Sequence, residues 1–343
     1  MAKPIKNLIN AVVWAYFSLL FVWLLVHTLT GDQIPTLAAI NMLAVYLFLP
    51  LPLVILGAFL LRRTGIWIAT ALAVGVFAWL WGGLFIPRSA AQAGNPRSSP
   101  SLTVMTYNLL GHHNFAEPIL ANIRAEDPDL VLLQELNPQL AAAIQDDLMA
   151  AYPYQFLDPH EGVAGMGVIS RNPISPSGEA LTGEWPYAPQ ILDLEWRGEV
   201  IKIINIHMVP TTSADAQVIA RTFQHRESQA RSLINYARHA GPLILGGDAN
   251  ATPLSEVHRM LTEDLVDAWQ VGGFGLGHTF PGSDIPGSSR PHIAGRPVPM
   301  WLARIDYVFH SAHWETVRAR VARFDGVSDH RGVVVELVLN LGD

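Results

Sequence analysis

The stretch "LILGGDANATP", residues 243–253, passes from three apolar residues through two glycines to a carboxylate and a carboxamide. The apolar residues predict a short buried strand, and Gly246 and Gly247 mark its end, where the backbone passes close to another group. Asp248 and Asn250 therefore lie at the end of a strand. Residues two apart in an extended segment point the same way, so both side chains would face one ligand. The alternative is a plain turn, because Asp and Asn side chains also bond their own backbone in turns.

The first hundred residues contain three apolar segments, each close to the roughly 20 residues that a helix needs to cross a bilayer. They cover residues 8–30, 37–61 and 66–86, and none contains Asp, Glu, Lys or Arg. Pro50 and Pro52 predict a kink in the second segment. We therefore expect residues 1–86 to form a membrane anchor of three transmembrane helices.

Basic residues in the short flanking segments predict the orientation of this anchor. Lys3 and Lys6 precede the first span, and Arg62 and Arg63 separate the second from the third. The flank before the first span and the segment between the second and third spans are therefore both expected in the cytoplasm. The sequence thus predicts an integral cytoplasmic (inner) membrane protein with a cytoplasmic N-terminus, and with everything after the third span on the periplasmic or extracellular side.

Residues 87–100 are rich in Pro, Ser and other small residues and predict a linker, followed by a soluble domain over residues 101–343. Of the 22 basic and 29 acidic residues, six basic and one acidic precede Ser101, so the remaining 16 basic and 28 acidic residues give the domain a net charge of −12. Such a surface repels polyanions, which disfavours a groove that tracks nucleic acid.

Strand-like and helix-like segments alternate along the domain. "LTVMTYNLL" and "DLVLLQEL" predict strands, each followed by an amphipathic helix, and "GMGVISR", "QILDLEW" and "VIKIINIHM" predict consecutive antiparallel strands. A long helix from Ser213 to His239 leads back to the opening stretch, and "RIDYVFHS", "ETVRARVARF" and "GVVVELVL" close the chain. This order predicts an α+β layered domain of mixed sheets with helices outside.

Polar residues lie at the ends of these predicted strands or interrupt them. Singly, each has a structural alternative, such as a cap for Asn108 or a hydrogen-bonded core position for His207. Buried charges are costly unless they are paired or ligate a metal, so a set of this size indicates a site. The set comprises Asn108, Glu135, His207, Asp248, Asn250, Asp306, Asp329 and His330.

Other polar residues favour solvent. His112 and His113 are expected in a solvated loop, and the arginines of the long helix, Arg226 among them, on its outer face. The glycine- and proline-rich stretch of residues 272–304 predicts either a substrate-contacting or membrane-facing loop or a plain surface excursion.

Seven segments occur in an order that matches a known group of proteins: "TYNLL", "LLQEL", "GMGVISR", "NIHMVP", "GGDANATP", "RIDYVFHS" and "SDHRGVVVEL". Through them, residues 101–343 resemble the endonuclease/exonuclease/phosphatase superfamily, which includes DNase I-like nucleases, inositol-phosphate phosphatases and neutral sphingomyelinases. The resemblance implies a four-layered sandwich of two central mixed β-sheets flanked by helices, here preceded by three transmembrane helices.

The resemblance also implies a metal ion and an activated water. Glu135 would be the main ligand of a Mg²⁺ or Mn²⁺ ion, with Asn108 and Asp329 close to it, and oxygen ligands suit such a hard cation. Asp248 would orient or deprotonate the attacking water. Asn250 would hydrogen-bond the phosphate or that water.

Three further residues are implied to act on the phosphoryl group. Asp306 would hold His330 in one tautomer and favour its charged form. His330 and His207 would stabilise charge on the phosphoryl oxygens or protonate the leaving oxygen. Which histidine is the acid stays open at this level.

The resemblance indicates the reaction class better than the substrate. A short linker would keep the site near the outer leaflet, which favours a lipid phosphate ester or pyrophosphate as substrate. This chain also resembles membrane-anchored bacterial members of the superfamily, which are associated with polyprenyl-pyrophosphate or phospholipid head-group chemistry. A surface-tethered nuclease is the alternative, and a catalytically silent binding module is a third. The number of metal ions and the oligomeric state stay open.

Overall fold

The computed structural model describes residues 2–86, 100–213 and 215–340. The predicted linker, residues 87–100, lies almost entirely outside the described residues. The N-terminal segment contains the α-helices α1 (Lys3–Thr30), α2 (Pro35–Met42), α3 (Leu51–Leu61) and α4 (Thr64–Trp81), with 3₁₀ turns at Ala44–Phe48 and Gly82–Phe85. Three stretches, residues 3–30, 44–61 and 64–85, are long and apolar enough to cross a membrane.

The strands of the domain follow the predicted order. In chain order they are β1 (Ser101–Asn108), β2 (Leu130–Gln134), β3 (Tyr154–Asp158), β4 (Met166–Ser170), β5 (Ile174–Pro176), β6 (Gln190–Trp196), β7 (Glu199–His207), β8 (Leu243–Asp248), β9 (Val266–Asp267), β10 (His292–Ile293), β11 (Arg296–Pro297), β12 (Asp306–His310), β13 (Trp314–Val321) and β14 (Val333–Leu339). The helices are α5 (Ala116–Glu126), α6 (Pro138–Leu148), α7 (Ala216–Ala237), α8 (Glu256–Asp264) and α9 (Ala268–Gly272).

Two six-stranded mixed sheets form the centre of the domain. The first has the strand order β13-β14-β1-β2-β4-β3 and the second β5-β6-β7-β8-β12-β9, and β10 and β11 form a separate small hairpin. Within them, β1 and β2 are parallel, as are β7 and β8, whereas the other pairs are antiparallel. The predicted run of consecutive antiparallel strands is divided between the sheets, because β4 pairs with β2 and β3 whereas β6 pairs with β5 and β7. Parallel neighbours need a long crossover connection, and α5 supplies it between β1 and β2 and α7 between β7 and β8.

Apolar side chains of the two sheets meet face to face. Leu132 of the first sheet and Ile203 and Ile244 of the second are fully buried in one shared core. Helices α5 and α6 cover the outer face of the first sheet, and α7 and α8 cover that of the second. The predicted sandwich of two mixed sheets flanked by helices is confirmed.

The second predicted span begins later than expected. The apolar run from residue 37 is divided: α2 is a separate helix, and the long apolar helical stretch starts only at Ala44. The fully buried Ala38 of α2 packs against Ile219 and Phe223 of α7. The first part of this run is therefore buried against protein, and hydropathy alone does not distinguish that burial from lipid. The helix changes from 3₁₀ to α around Pro50, where the kink was predicted.

The N-terminal segment contacts the domain at the end of the helices opposite to the amino terminus. Asp32, just after α1, accepts a hydrogen bond from the backbone N–H of Glu256 at the start of α8 at 2.7 Å. Tyr46 donates to the carbonyl oxygen of Leu302 at 3.0 Å. These bonds fix the segment against the domain rather than leaving it as a loose tether.

Candidate active site

The register of the second sheet gathers three of the predicted site residues. His207 ends β7 and lies beside Asp248, which ends the parallel strand β8. Asp306 begins β12, which is antiparallel to β8, and so pairs with Asp248 from the other side. The ends of these three strands lie side by side, so that His207, Asp248 and Asp306 are neighbours although they are far apart in sequence. The candidate site lies at these strand ends.

The glycines of the opening stretch are required by close packing. A Cβ atom on Gly247, whose φ is +147°, would lie 1.9 Å from the carbonyl oxygen of Ile206 on β7. A Cβ on Gly246 would lie 2.6 Å from the Leu132 side chain of the opposite sheet. The backbone at the end of β8 is therefore pressed against both of its neighbours, as the glycine pair predicted.

Asp248 uses its two oxygens differently. Oδ1 accepts the backbone N–H of Asn250 at 2.8 Å, whereas Oδ2 accepts the Asn108 amide at 3.1 Å. Asn250 has φ of +49°, so the segment is a turn and not the extended strand that the spacing suggested. The Asn250 amide donates to the carbonyl oxygen of Met208 at 2.9 Å. The turn and the site are thus one structure, because the turn bond holds the other oxygen of Asp248 toward the cluster.

Asn108 joins the two sheets at the site. Its amide nitrogen donates to Glu135 at 3.0 Å as well as to Asp248, and its oxygen accepts the backbone N–H of Leu110 at 3.1 Å. Ligation of a cation by this oxygen would require the amide to turn over. Glu135 follows β2 and also accepts the backbone N–H of Gly111 at 3.1 Å. All these groups are buried, so the hydrogen bonds offset a large desolvation cost.

Asp329 is held by a loop residue that the sequence did not single out. Its Oδ2 accepts both the backbone N–H and the hydroxyl of Ser289, at 2.8 and 2.7 Å. Its Oδ1 lies 4.0 Å from Nε2 of His330. Ser289 belongs to the 272–304 loop, which consequently reaches the site directly.

Burial and neighbouring charges raise the pKa of two carboxyl groups at the site. Burial, followed by the negative charge of Asp329, raises the pKa of Glu135 to about 7. Burial, followed by the charge of Asp306, raises the pKa of Asp248 to about 7. Crowded acids of this kind indicate that the site is short of positive charge. Because Glu135 and Asp329 offer hard oxygen donors, these residues fit a divalent cation such as Mg²⁺.

The two histidines differ in charge. Nδ1 of His330 lies 2.9 Å from Asp306, and its Nε2 lies 3.8 Å from Asp248. Burial alone would lower the pKa of His330, but the charges of Asp306 and Asp248 outweigh it and raise that pKa well above the usual value. His330 is therefore the protonated imidazole of the pair.

His207 is its neutral counterpart. Burial, followed by the positive charge of His330, lowers the pKa of His207 to about 3. Its Nε2 lies 3.7 Å from Asp248 and 3.9 Å from Glu135, and the Tyr187 ring stacks on the imidazole at 4.4 Å between centroids. As a neutral ring it can donate one hydrogen bond and accept another, but it adds no charge.

A second grouping of possible metal ligands overlaps this one. Asp248, Asp306 and His330 each place one ligand atom within 4.8 Å of the others. Nδ1 of His330 is already engaged by Asp306, however, and the imidazole is protonated. We therefore interpret these three residues as a hydrogen-bonded acid–base group, with the cation-binding oxygens on the Glu135 side.

Two residues expected in solvent are buried instead. Arg226 is 1% exposed, donates to the carbonyl oxygen of Val209 at 3.2 Å and lies over the Phe223 ring at 4.4 Å. His113 is 7% exposed and bonds the carbonyl oxygen of Leu109 at 2.9 Å. Both support loops that follow site strands. Helical periodicity places Arg226 near apolar Phe223, the one signal that would have indicated burial.

All eight predicted residues are thus linked in one cluster by contacts of 4.0 Å or less, with Asn250 joined through the turn at Asp248. Tyr187 and Ser289 were missed because a tyrosine and a serine in loops have no distinguishing pattern.

Solved structures share this fold. The endonuclease/exonuclease/phosphatase family protein from Bacteroides thetaiotaomicron is 18% identical over 71% of this chain and 100% of that chain, with a TM-score of 0.52. The 3′ phosphatase NExo from Neisseria is 20% identical over 68% and 98% (TM-score 0.52), and TDP2 from D. rerio is 18% identical over 69% and 98% (TM-score 0.51). Identities this low show the fold alone.

The sequence itself gives the family. No curated protein matches the chain significantly. The model of the endonuclease/exonuclease/phosphatase family, in contrast, matches residues 105–330, which is more than half of the chain and includes every residue of the cluster. The chain therefore belongs to the endonuclease/exonuclease/phosphatase family.

Proposed function

We propose that this protein is a membrane-anchored, divalent-metal-dependent phosphohydrolase or phosphodiesterase that acts on a lipid phosphate ester or pyrophosphate at the outer face of the membrane. The cluster around Asp248 supports this reaction type. In it, a carboxyl group with a pKa of about 7 lies near the protonated imidazole of His330 and the neighbouring carboxylates Glu135 and Asp329. Phosphoryl transfer needs these groups for positioning and charge stabilisation.

In the proposed reaction, a water attacks phosphorus and the bond to the leaving oxygen breaks. Asp248 takes a proton from the attacking water, for which a pKa of about 7 is well matched. His330, held by Asp306, gives its proton to the leaving oxygen. His207, being neutral, donates a hydrogen bond to a phosphoryl oxygen, and Asn250 helps to position the water.

Glu135, Asn108 and Asp329 would hold the cation. A bound Mg²⁺ or Mn²⁺ would supply charge that stabilises the phosphoryl oxygens in the transition state. Before a cation binds, Asn108 and Ser289 fix the two carboxylates by hydrogen bonds, and Asn108 would then turn its amide over to present its oxygen to the cation.

The proposed lipid substrate rests on the placement of the site. The domain packs against one end of the candidate membrane spans through Asp32, which follows the first, and Tyr46, near the start of the second, and we take this end as the outer one. A substrate confined to the same bilayer is present at high effective concentration. The proposed location is the cytoplasmic membrane, with the N-terminus in the cytoplasm and the catalytic domain on the periplasmic or extracellular side.

A surface-tethered nuclease is the second candidate. NExo was solved with a product DNA hairpin and TDP2 with a single-strand DNA product. The net charge of −12 on the catalytic domain argues against a long polyanion, which a nuclease would bind through basic residues with a steep dependence on salt.

The decisive experiment is product release by purified full-length protein with Mg²⁺, with Mn²⁺ or with EDTA. The substrates are polyprenyl pyrophosphate, sphingomyelin, phosphatidylinositol and plasmid DNA. Glu135→Ala removes the main proposed ligand, and Glu195→Ala, an exposed acid at the far end of β6, is the matched control.

We expect metal-dependent turnover of a lipid but not of DNA, lost in Glu135→Ala and kept in Glu195→Ala. Turnover of DNA alone would replace the proposal with the nuclease. No turnover of any substrate would favour a binding module that keeps the fold.

A further inference from the structure

Half of the exposed large apolar residues of the catalytic domain lie in one loop or pack against it. Among the described residues from 100 onward, eight large apolar side chains are exposed, and three of them, Phe274, Ile293 and Met300, lie in the 272–304 loop. A fourth, Phe324, packs edge-on against Trp301 of the same loop at 5.1 Å. Clustered exposed apolar residues mark a binding surface, whereas scattered ones need no explanation.

This loop is continuous with the candidate membrane spans. The backbone N–H of Gly275 donates to the carbonyl oxygen of Leu84, at the end of the third candidate span, at 2.7 Å. The Phe274 ring meets the Phe85 ring edge-on at 6.3 Å. The exposed face of the loop therefore begins where the candidate span ends.

The other end of the loop has the composition of a membrane interface. The guanidinium of Arg331 lies 4.1 Å from the centre of the Trp301 ring, and Met300 beside it is exposed. Tyr46, near the start of the second candidate span, donates to the carbonyl oxygen of Leu302 at 3.0 Å. Tryptophan, tyrosine and arginine combine apolar surface with a polar head and concentrate at the headgroup level of bilayers.

The same loop borders the active site. Phe280 packs against the His330 ring at 5.0 Å, and the Arg331 N–H donates to the carbonyl oxygen of Thr279 at 2.9 Å. Ser289 holds Asp329. A loop fixed at once to the spans and to the site sets the height of the site above the membrane.

We propose that the 272–304 loop, with Arg331 and Phe324, rests on the bilayer surface at the headgroup level and holds the active site against it. The partner is the phospholipid surface itself. This inference rests on the proposed membrane location and deepens the proposed function, because it explains how a lipid phosphate reaches the site without leaving the bilayer.

The test measures the depth of single residues in a bilayer. The chain has no cysteine, so Phe274→Cys and Met300→Cys can each be labelled with one nitroxide in the full-length protein. Val200→Cys is the aqueous control, because the exposure of Val200 lies between those of Phe274 and Met300 and Val200 is at the end of β7 away from the site. Leu19→Cys in α1 is the lipid reference, and all variants are reconstituted in bilayers of phosphatidylcholine and phosphatidylglycerol.

Relaxation by oxygen, which partitions into lipid, is compared with relaxation by a water-soluble nickel chelate. We expect the oxygen-to-nickel ratio at Phe274 and Met300 to be several-fold higher than at Val200 and lower than at Leu19, which lies near the middle of α1. Ratios at both loop sites equal to that at Val200 would overturn the inference.

This outcome does not depend on turnover. Lipid hydrolysis by a protein whose loop labels lie in water would refute the docking surface alone. Loop labels in lipid in a protein that cleaves only DNA would refute the proposed substrate and leave the surface standing. As a second readout, Phe274→Ser should raise the KM for substrate in bilayers several-fold without changing the kcat on a soluble short-chain analogue.

Discussion

At Asp248, one carboxylate has two tasks that depend on each other. One oxygen closes the turn to Asn250, and the other faces Asn108, His207 and His330. The charge is buried and disfavoured, which is why its pKa rises to about 7. A residue whose environment opposes its charged form is matched to proton transfer near neutral pH.

We predict that Asp248→Asn lowers the rate by about 10²–10⁴-fold, the usual contribution of a general base. The thermal unfolding midpoint should stay close to that of the wild type, because relief of a buried charge offsets the weakened hydrogen bond with Asn108. Initial rates with metal and thermal melts followed by circular dichroism check both parts. Asp146→Asn, an exposed acid on α6, is the control, and near-normal turnover in Asp248→Asn contradicts its role as base.

At the scale of elements, a buried ion group braces the second sheet behind the site. Asp267, which caps α9, accepts two hydrogen bonds from Arg304 at 3.1 and 2.8 Å and one from His258 of α8 at 2.8 Å. Burial alone would raise the pKa of Asp267, but the charge of Arg304 and the bond from His258 outweigh it and hold the pKa well below its usual value. The brace connects α8 and α9 to Arg304 in the segment that leads into β12.

We predict that Asp267→Asn lowers the free energy of unfolding by about 3–5 kcal/mol near neutral pH, because it leaves Arg304 buried without a counter-charge. Because its pKa is lowered in the folded state, ionised Asp267 stabilises the protein above the unfolded-state pKa of about 4. This stabilisation is lost as the pH falls below that value toward the folded-state pKa. The difference between wild type and variant should therefore shrink from about pH 7 to about pH 3. Denaturant unfolding of the detergent-solubilised protein measures it, and a difference that grows toward acid pH would show that the pairing is misassigned.

At the scale of the whole molecule, the N-terminal segment and the domain form one unit with a fixed sidedness. The residues that contact the domain, such as Asp32 and Tyr46, lie at one end of the apolar helices, whereas Lys6 and Arg62 lie at the other. In a membrane crossed by the three candidate spans, the basic residues and the site would therefore lie on opposite sides.

We predict that a membrane-impermeant maleimide labels Glu195→Cys, but not Lys6→Cys, in right-side-out membrane vesicles. Lys6→Cys should react only after permeabilisation, because basic flanks stay in the cytoplasm. The cysteine-free chain supplies the background. The reverse labelling pattern would move the catalytic domain to the cytoplasmic side.

The sequence by itself determined the alternation of strands and helices, the apolar helices at the N-terminus and the polar residues at strand ends. These signals are local, because periodicity and glycine placement act within a few residues. They were sufficient to predict the sandwich and to select eight residues that the structure brings into contact.

Only the tertiary structure decided what covers each buried apolar or charged residue. The run containing Ala38 is as apolar as a span but packs on α7, and Arg226 on the face expected to be polar is covered. The contact between Asn108 and Asp248 spans 140 residues and depends on how two sheets stack. Hydropathy predicts that a residue is removed from water, but the groups that it then contacts depend on the packing of the whole chain.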